Sequence, residues 1–425
     1  MRFISNLIII CALYLTAAAA AIVNPDPDAQ QPLQHRPASP KDDGGVSTDS
    51  VSTAFFADLE RLARLVDITY CVGTTGISPP FSCASRCKEF PGLQLASTWN
   101  TGVLMSDSCG YVAVDHGAGG NGNGHGNGEG GAVIVAFRGT YSLTNTIVDL
   151  STVPQEYVPY PDPDDGAGGG NGTGRQQDHH HHRCTNCTVH MGFLASWTQA
   201  RKLVLPVLED ARAQHPGYPI HLLGHSLGGA VALLAALELK VARGWDDVVV
   251  TTFGEPQAGN EGFVQYVDRV FGLDDDDGYD PDLERRVYRR VTHVDDPVPL
   301  LPLGEWGFRP HAGEVFISRA DLSPGVKDLR LCRGDEDPAC IAGEDTAMAG
   351  ERVKKALGEL SPERRHGDGW LGMGMLAGLP SRLKLWQLLF AHRDYFWRLG
   401  LCVPGGDPSD WGRPPYNVSS DPDEL

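Results

Sequence analysis

PIHLLGHSLGGAVALLAALELK, residues 219–240, is the stretch that decides the fold. Residues 220–223 form an apolar run of buried-strand length, and residues 230–241 are rich in Ala and Leu at helical length. Between them stands Gly224-His225-Ser226-Leu227-Gly228. Glycines two before and two after the serine leave room for a strained strand-to-helix turn that lifts the Ser226 side chain out at the strand's carboxyl end. Serine is also a favoured helix N-cap. The stretch alone therefore leaves Ser226 between nucleophile and cap, and partners elsewhere must decide.

Working outward, apolar segments alternate in type. Residues 51–70 have one apolar face (Phe55, Phe56, Leu59, Leu62, Leu65, Val66) and read as a helix. Strands are expected at 110–115, 132–137, 220–223, 248–253 and 287–294, and helices at 193–213, 230–241 and 262–270. That alternation predicts an α/β fold with a largely parallel sheet, whose ligands sit at the carboxyl ends of the strands. Three polar, low-complexity inserts interrupt it at 117–131, 161–182 and 274–282. In the third, Asp275, Asp277 and Glu284 could be aligned with a calcium loop. Leu273 in the first ligand position and the interrupting Pro281 argue for a solvated acidic loop instead.

Residues 1–21 carry Arg2, an apolar core and a small-residue end, the pattern of a secretory signal peptide, and residues 22–50 are Pro-, Asp- and Gln-rich without periodicity. No later run approaches the roughly 18 apolar residues of a membrane span. The expected organisation is thus a leader, a linker, one domain over 51–402 and an acidic tail over 403–425, secreted and monomeric. A net charge of −19 argues against nucleic acid as a partner. With a signal peptide, ten cysteines suggest disulfides. Cys83/Cys87 and Cys184/Cys187 are spaced for small loops, Cys332/Cys340 could close another, and Cys71/Cys402 would then join the start of the domain to its end. Cys109 is left over. A zinc site at Cys184 and Cys187 beside His179–His182 is the weaker alternative, because only one such Cys pair is present. No cofactor or metal is expected. Asn171 and Asn417 are glycosylation acceptors by pattern; Asn186 also fits, but lies between two cysteines.

A serine hydroxyl needs an imidazole to take its proton and a buried carboxylate to orient that imidazole. In VYRRVTHVDDPVPLLP, Asp295 and Asp296 follow a strand and are held by prolines. Downstream of them are His311, His366 and His392. His366 sits in a charged loop and His311 opens a strand, whereas His392 lies in the aromatic stretch LLFAHRDYFWRLGLC, which excludes water as a general base requires. An oxyanion would need two N–H donors, from Leu227 after the serine and from Thr140 at the end of AVIVAFRGTYSL, where Thr140 could otherwise be an ordinary turn residue.

GHSLGG, FRGT, THVDDPVP and AHRDYFWRLGLC, in this order, resemble the class 3 family of filamentous-fungus triacylglycerol lipases over residues 54–402, outside the inserts. The resemblance implies a single-domain α/β-hydrolase fold with helices on both sheet faces and a helical lid. It implies Ser226 as nucleophile, Asp296 rather than Asp295 as acid, His392 as base, and Thr140 and Leu227 at the oxyanion hole. It also implies Phe193 in the acyl groove and the pairs Cys71–Cys402, Cys83–Cys87, Cys184–Cys187 and Cys332–Cys340. The lid would be residues 142–151, apolar through Leu143, Ile147 and Leu150, with Thr146 where the family usually has tryptophan. The expected activity is hydrolysis of acylglycerol esters at a lipid–water interface. The alternatives are a feruloyl-type esterase on soluble esters and a non-catalytic binding protein on the same scaffold.

Overall fold

Alternate residues of the central strands face two separate apolar cores, so both sheet faces are buried, as near-continuous apolar strands require. The computed structural model describes residues 51–102, 108–117, 130–140, 154–157, 184–273, 283–343, 390–404 and 406–408. All belong to one compact unit, Ser47–Leu425. Among them, eight strands form the main sheet: β1 (Leu93–Asn100), β2 (Cys109–Asp115), β3 (Ala132–Phe137), β4 (Ile220–His225), β5 (Val248–Phe253), β6 (Tyr288–His293), β7 (Glu314–Ile317) and β8 (Leu329–Leu331). They lie side by side in chain order. Strands β3 to β7 pair in parallel, whereas β1, β2 and β8 pair antiparallel at the two edges.

One core holds Val133, Val135, Phe137, Leu222, Val248 and Val250, covered by α2 (Met191–Gln214), α3 (Leu227–Leu237) and α4 (Glu261–Phe271). The opposite core holds Tyr111, Ala113, Ile134, Leu223, Phe253 and Val291, covered by α1 (Thr53–Ile68) and by Tyr395, Phe396 and Trp397. The chain's last described segment is therefore a structural layer as well as the carrier of His392. A smaller sheet joins Phe308–Arg309, Gly259–Asn260, Thr188–His190 and Pro154–Glu156.

Strands β3 and β5 fall where the sequence places them. Helix α3 starts three residues earlier than its Ala- and Leu-rich run, because the chain turns directly into helix after Ser226 and takes Gly228 and Gly229 with it. A π turn over Glu238–Ala242 then ends it. Helix α2 runs through Pro206 without a break. Past Cys402 the described chain continues, with Gly406 N–H donating to the Val403 carbonyl at 3.0 Å and Asp407 buried. Residues 1–50, the cores of all three inserts, the segment 142–151, Asn171 and Asn417 lie outside the described residues.

Among the described residues four disulfides are present: Cys71–Cys402, Cys83–Cys87, Cys184–Cys187 and Cys332–Cys340. Bonding of Cys184 to Cys187 occupies the thiolates that a zinc ion would need. Cys109 lies buried at the start of β2.

Candidate active site

Ser226 closes the turn between β4 and α3 with φ 57° and ψ −132°, a left-handed backbone that a non-glycine residue adopts only under constraint. The constraint is steric. A Cβ at Gly224 would lie 2.3 Å from the Gly228 carbonyl oxygen, so the two glycines flanking the serine are in contact, and only their missing side chains let the turn close. Ser226 occupies the N-cap position of α3, yet its side chain makes no cap hydrogen bond. Its Oγ is buried and has no hydrogen-bond partner among the described residues, and the same holds for His392 Nε2. The cap reading fails on that geometry.

Asp296 follows β6 and is fully buried, while its neighbour Asp295 is exposed. His392 Nδ1 lies 3.0 Å from Asp296 Oδ1 and 2.9 Å from Oδ2. Tyr395 donates its hydroxyl to Oδ2 at 2.6 Å, and the Val298 N–H donates to Oδ1 at 2.9 Å. Burial alone would push the Asp296 carboxyl up. The His392 charge beside it, and the bonds from His392, Tyr395 and Val298, outweigh burial and hold it below its ordinary value. The same burial and the Asp296 charge push the Tyr395 phenol well above its ordinary value, so it stays a donor. Since a carboxylate only accepts, Nδ1 carries the proton and Nε2 is left as a lone pair, the tautomer a general base needs.

The β3 end closes against the elbow. A Cβ at Gly139 would lie 2.8 Å from Ser226 Cβ and 2.8 Å from the His225 carbonyl oxygen, so the Gly139–Thr140 main chain packs beside the serine. Leu227 opens α3 on the other side. Such an arrangement can receive an ester carbonyl between two main-chain N–H groups.

His311 does not join this cluster. It is buried against Tyr288, donates Nδ1–H to the Ala312 carbonyl at 2.7 Å, and places Nε2 3.3 Å from Glu255. Phe193, 2% exposed in the first turn of α2, packs its ring 4.2 Å from that of His190. Three contributors escaped the sequence reading. Tyr395 stands three residues after His392, Gly254 packs against the His–Asp pair, and Tyr70 bonds to His225 from α1's end. Tyr395 had a signal in its spacing from the histidine; the other two had none that a single sequence offers.

The family model described as Lipase (class 3) matches residues 134–306. The chain is 54% identical to the secreted mono- and diacylglycerol lipase 2 of Gibberella zeae, over 97% of this chain and 96% of that one. It is 60% identical to lipase A of Sodiomyces alcalophilus, over 85% and 86% respectively. The crystal structure of Lip2 lipase from Yarrowia lipolytica superposes with a TM-score of 0.60 at 29% identity, covering 83% of this chain and 97% of that one. With relatives this similar along nearly its whole length, the chain belongs to the class 3 lipase family.

Proposed function

We propose that Ser226, His392 and Asp296 carry out ester hydrolysis through an acyl-enzyme, and that partial acylglycerols are among the substrates. The observation that carries the mechanism is the two-oxygen contact of Asp296 with His392 Nδ1 beside a strained, uncapped serine. Ser226 Oγ attacks the ester carbonyl carbon as His392 Nε2 takes its proton. The carbonyl oxygen gains charge, and the N–H groups of Thr140 and Leu227 stabilise it. His392 returns the proton to the departing glycerol oxygen. A water then attacks the acyl-serine with His392 again as base, and the free fatty acid leaves. Asp296 stays ionised throughout and stabilises the imidazolium.

The substrate class is supported by the printed name of the Gibberella zeae relative. Secretion is supported by that name and by the leader pattern of residues 1–21; among the described residues no helix is long and apolar enough to cross a membrane. Residues 142–151 are proposed as the lid and Phe193 as a wall of the acyl groove, with the chain acting as a monomer. Glycans are proposed at Asn171 and Asn417. The test pairs fluorophosphonate labelling with substrate panels. Labelling is expected at Ser226 and absent in Ser226→Ala, with turnover of emulsified monoolein and diolein exceeding that of methyl ferulate. A chain that never labels refutes the mechanism, and turnover confined to the soluble ester refutes the substrate class.

A further inference from the structure

His225, the residue before the nucleophile, is 1% exposed and takes no part in the proton transfers described above. Its Nε2 faces the main-chain carbonyl oxygen of His392 at 2.9 Å. A carbonyl can only accept, so Nε2 carries the proton. Nδ1 is then a lone pair, and it accepts from the Tyr70 hydroxyl at 2.5 Å. The His225 ring also stacks on the His392 ring, with centroids 4.7 Å apart and planes at 29°.

We propose that Tyr70 and His225 form a positioning relay that sets the height of His392 over Ser226, with Tyr70 fixing the tautomer of His225 and His225 fixing the main chain of His392. His392 lies on the segment 390–404, and residues 344–389 before it are outside the described part. Within that segment, Gly400 N–H donates to Asp67 at 2.7 Å, and Cys402 bonds to Cys71, the residue after Tyr70. Those ties act eight and ten residues away from the base. Asp296, itself held by Tyr395, bonds to the imidazole of His392. The His225 bond reaches the His392 main chain, and it comes from the same turn that presents the nucleophile, so base and nucleophile share one reference point.

The relay also keeps the second imidazole silent. Burial, and then the charge of His392, push His225 down to about 3, so it remains neutral while His392 holds the serine's proton. A stacked pair in which both rings could charge would oppose formation of the imidazolium. Removing the Tyr70 hydroxyl frees the tautomer: with the proton on Nδ1, Nε2 would present a lone pair to the His392 carbonyl and the two would repel.

This inference rests on Ser226 and His392 as nucleophile and base. The experiment uses the mature enzyme, p-nitrophenyl butyrate, and kcat normalised to fluorophosphonate-labelled serine; both half-reactions use His392, so either rate-limiting step reports. His225→Leu, which loses both bonds, is expected to lower kcat roughly 100-fold with KM within about threefold. His225→Gln, whose Nε2 can still donate to the carbonyl, is expected to recover about tenfold of that loss, and Tyr70→Phe to lose about tenfold. Should His225→Leu not fold, the other two variants decide. Melting temperatures that fall while kcat stays within about threefold would make the relay merely structural and overturn the proposal. Failure of Gln to recover anything over Leu overturns it too, and if Leu does not fold, so does a Tyr70→Phe enzyme whose kcat stays within about threefold of the parent. A parent enzyme that labels elsewhere than Ser226 sinks the nucleophile assignment instead, which keeps the two failures apart.

Discussion

A single methyl group at residue 254 is expected to disable the enzyme without unfolding it. Gly254 follows β5 with φ +59°, its N–H bonded to the Val291 carbonyl at 3.0 Å. A Cβ there would sit 2.6 Å from the Tyr395 hydroxyl, 2.8 Å from Asp296 Oδ2 and 3.0 Å from His392 Cε1. Ordinary contact needs about 3.5 Å, so the three groups must yield by about 0.5 to 0.9 Å. All three belong to the acid–base pair, and displacement on the order of 1 Å in such a site costs about 100-fold in rate. Gly272 supplies the control. It caps α4 at φ +63° and has open space where a Cβ would go. Gly272→Ala therefore carries the backbone strain alone, about 1 kcal/mol, and Gly254→Ala carries that plus about 1–3 kcal/mol of overpacking. Urea unfolding with disulfides intact, beside kcat on a short soluble ester, separates the two costs. Gly272→Ala should lose stability and keep its rate; Gly254→Ala should lose about 30- to 100-fold in kcat while still folded. Equal rate losses in both variants, or a Gly254→Ala enzyme within about threefold of the parent, would refute the steric argument.

Three further outcomes follow from the same structure. Tyr395→Phe removes one hydrogen bond to the buried Asp296 carboxylate and should cost about 1.5–3 kcal/mol at neutral pH. Because Asp296 is held below its ordinary value, its contribution is present above the unfolded value and lost as pH falls, so the gap between parent and variant should close in acid; a pH-independent gap in urea midpoints contradicts this. Asp67 has the opposite sign, since burial, offset in part by the Gly400 N–H and Arg86, raises it from 3.8 to about 6. Its contribution is full below the unfolded value and is lost as pH rises through about 6, so the parent should shed on the order of 2–3 kcal/mol there. Asp67→Asn should flatten that part of the stability curve, and an unchanged slope would remove Asp67 from the account. Asn186 is exposed on the loop closed by Cys184–Cys187, within the pattern Asn-Cys-Thr. A glycosidase should therefore remove one more glycan from the parent than from Asn186→Gln when a fungal host secretes them, and equal shifts would exclude the site.

What the sequence made legible followed strong local signals. Strand β3 is an uninterrupted apolar run and β5 a β-branched run ending in phenylalanine, both buried on both faces, and their limits come from the residues themselves. Ser226 was legible because its glycines touch, and Asp296 because prolines hold it at a strand end. Strand β1, LQLASTWN, escaped because it alternates polar and apolar residues at a sheet edge, and β8 is three residues long, too short for any period. The small sheet is built of two- and three-residue strands with the same difficulty. Tyr70, His225 and Gly254 carry no pattern of their own. Their parts depend on contacts such as Tyr70 to His225, 155 residues apart, and His225 to His392, 167 apart, which only the folded chain brings together.

The Cys71–Cys402 bond spans 331 residues, and the base lies only ten residues short of its far end. Synthesis therefore delivers the nucleophile strand, the acid and Tyr70 long before the imidazole that activates them. With the proposed roles, the chain lacks its base for most of its emergence, and it gains one only when its last segment docks, a step that the Cys71–Cys402 bond locks in an oxidising compartment. On the proposed secretion, competence is in this way postponed, in a cell whose own membranes are made of esters, until the protein has entered the export route.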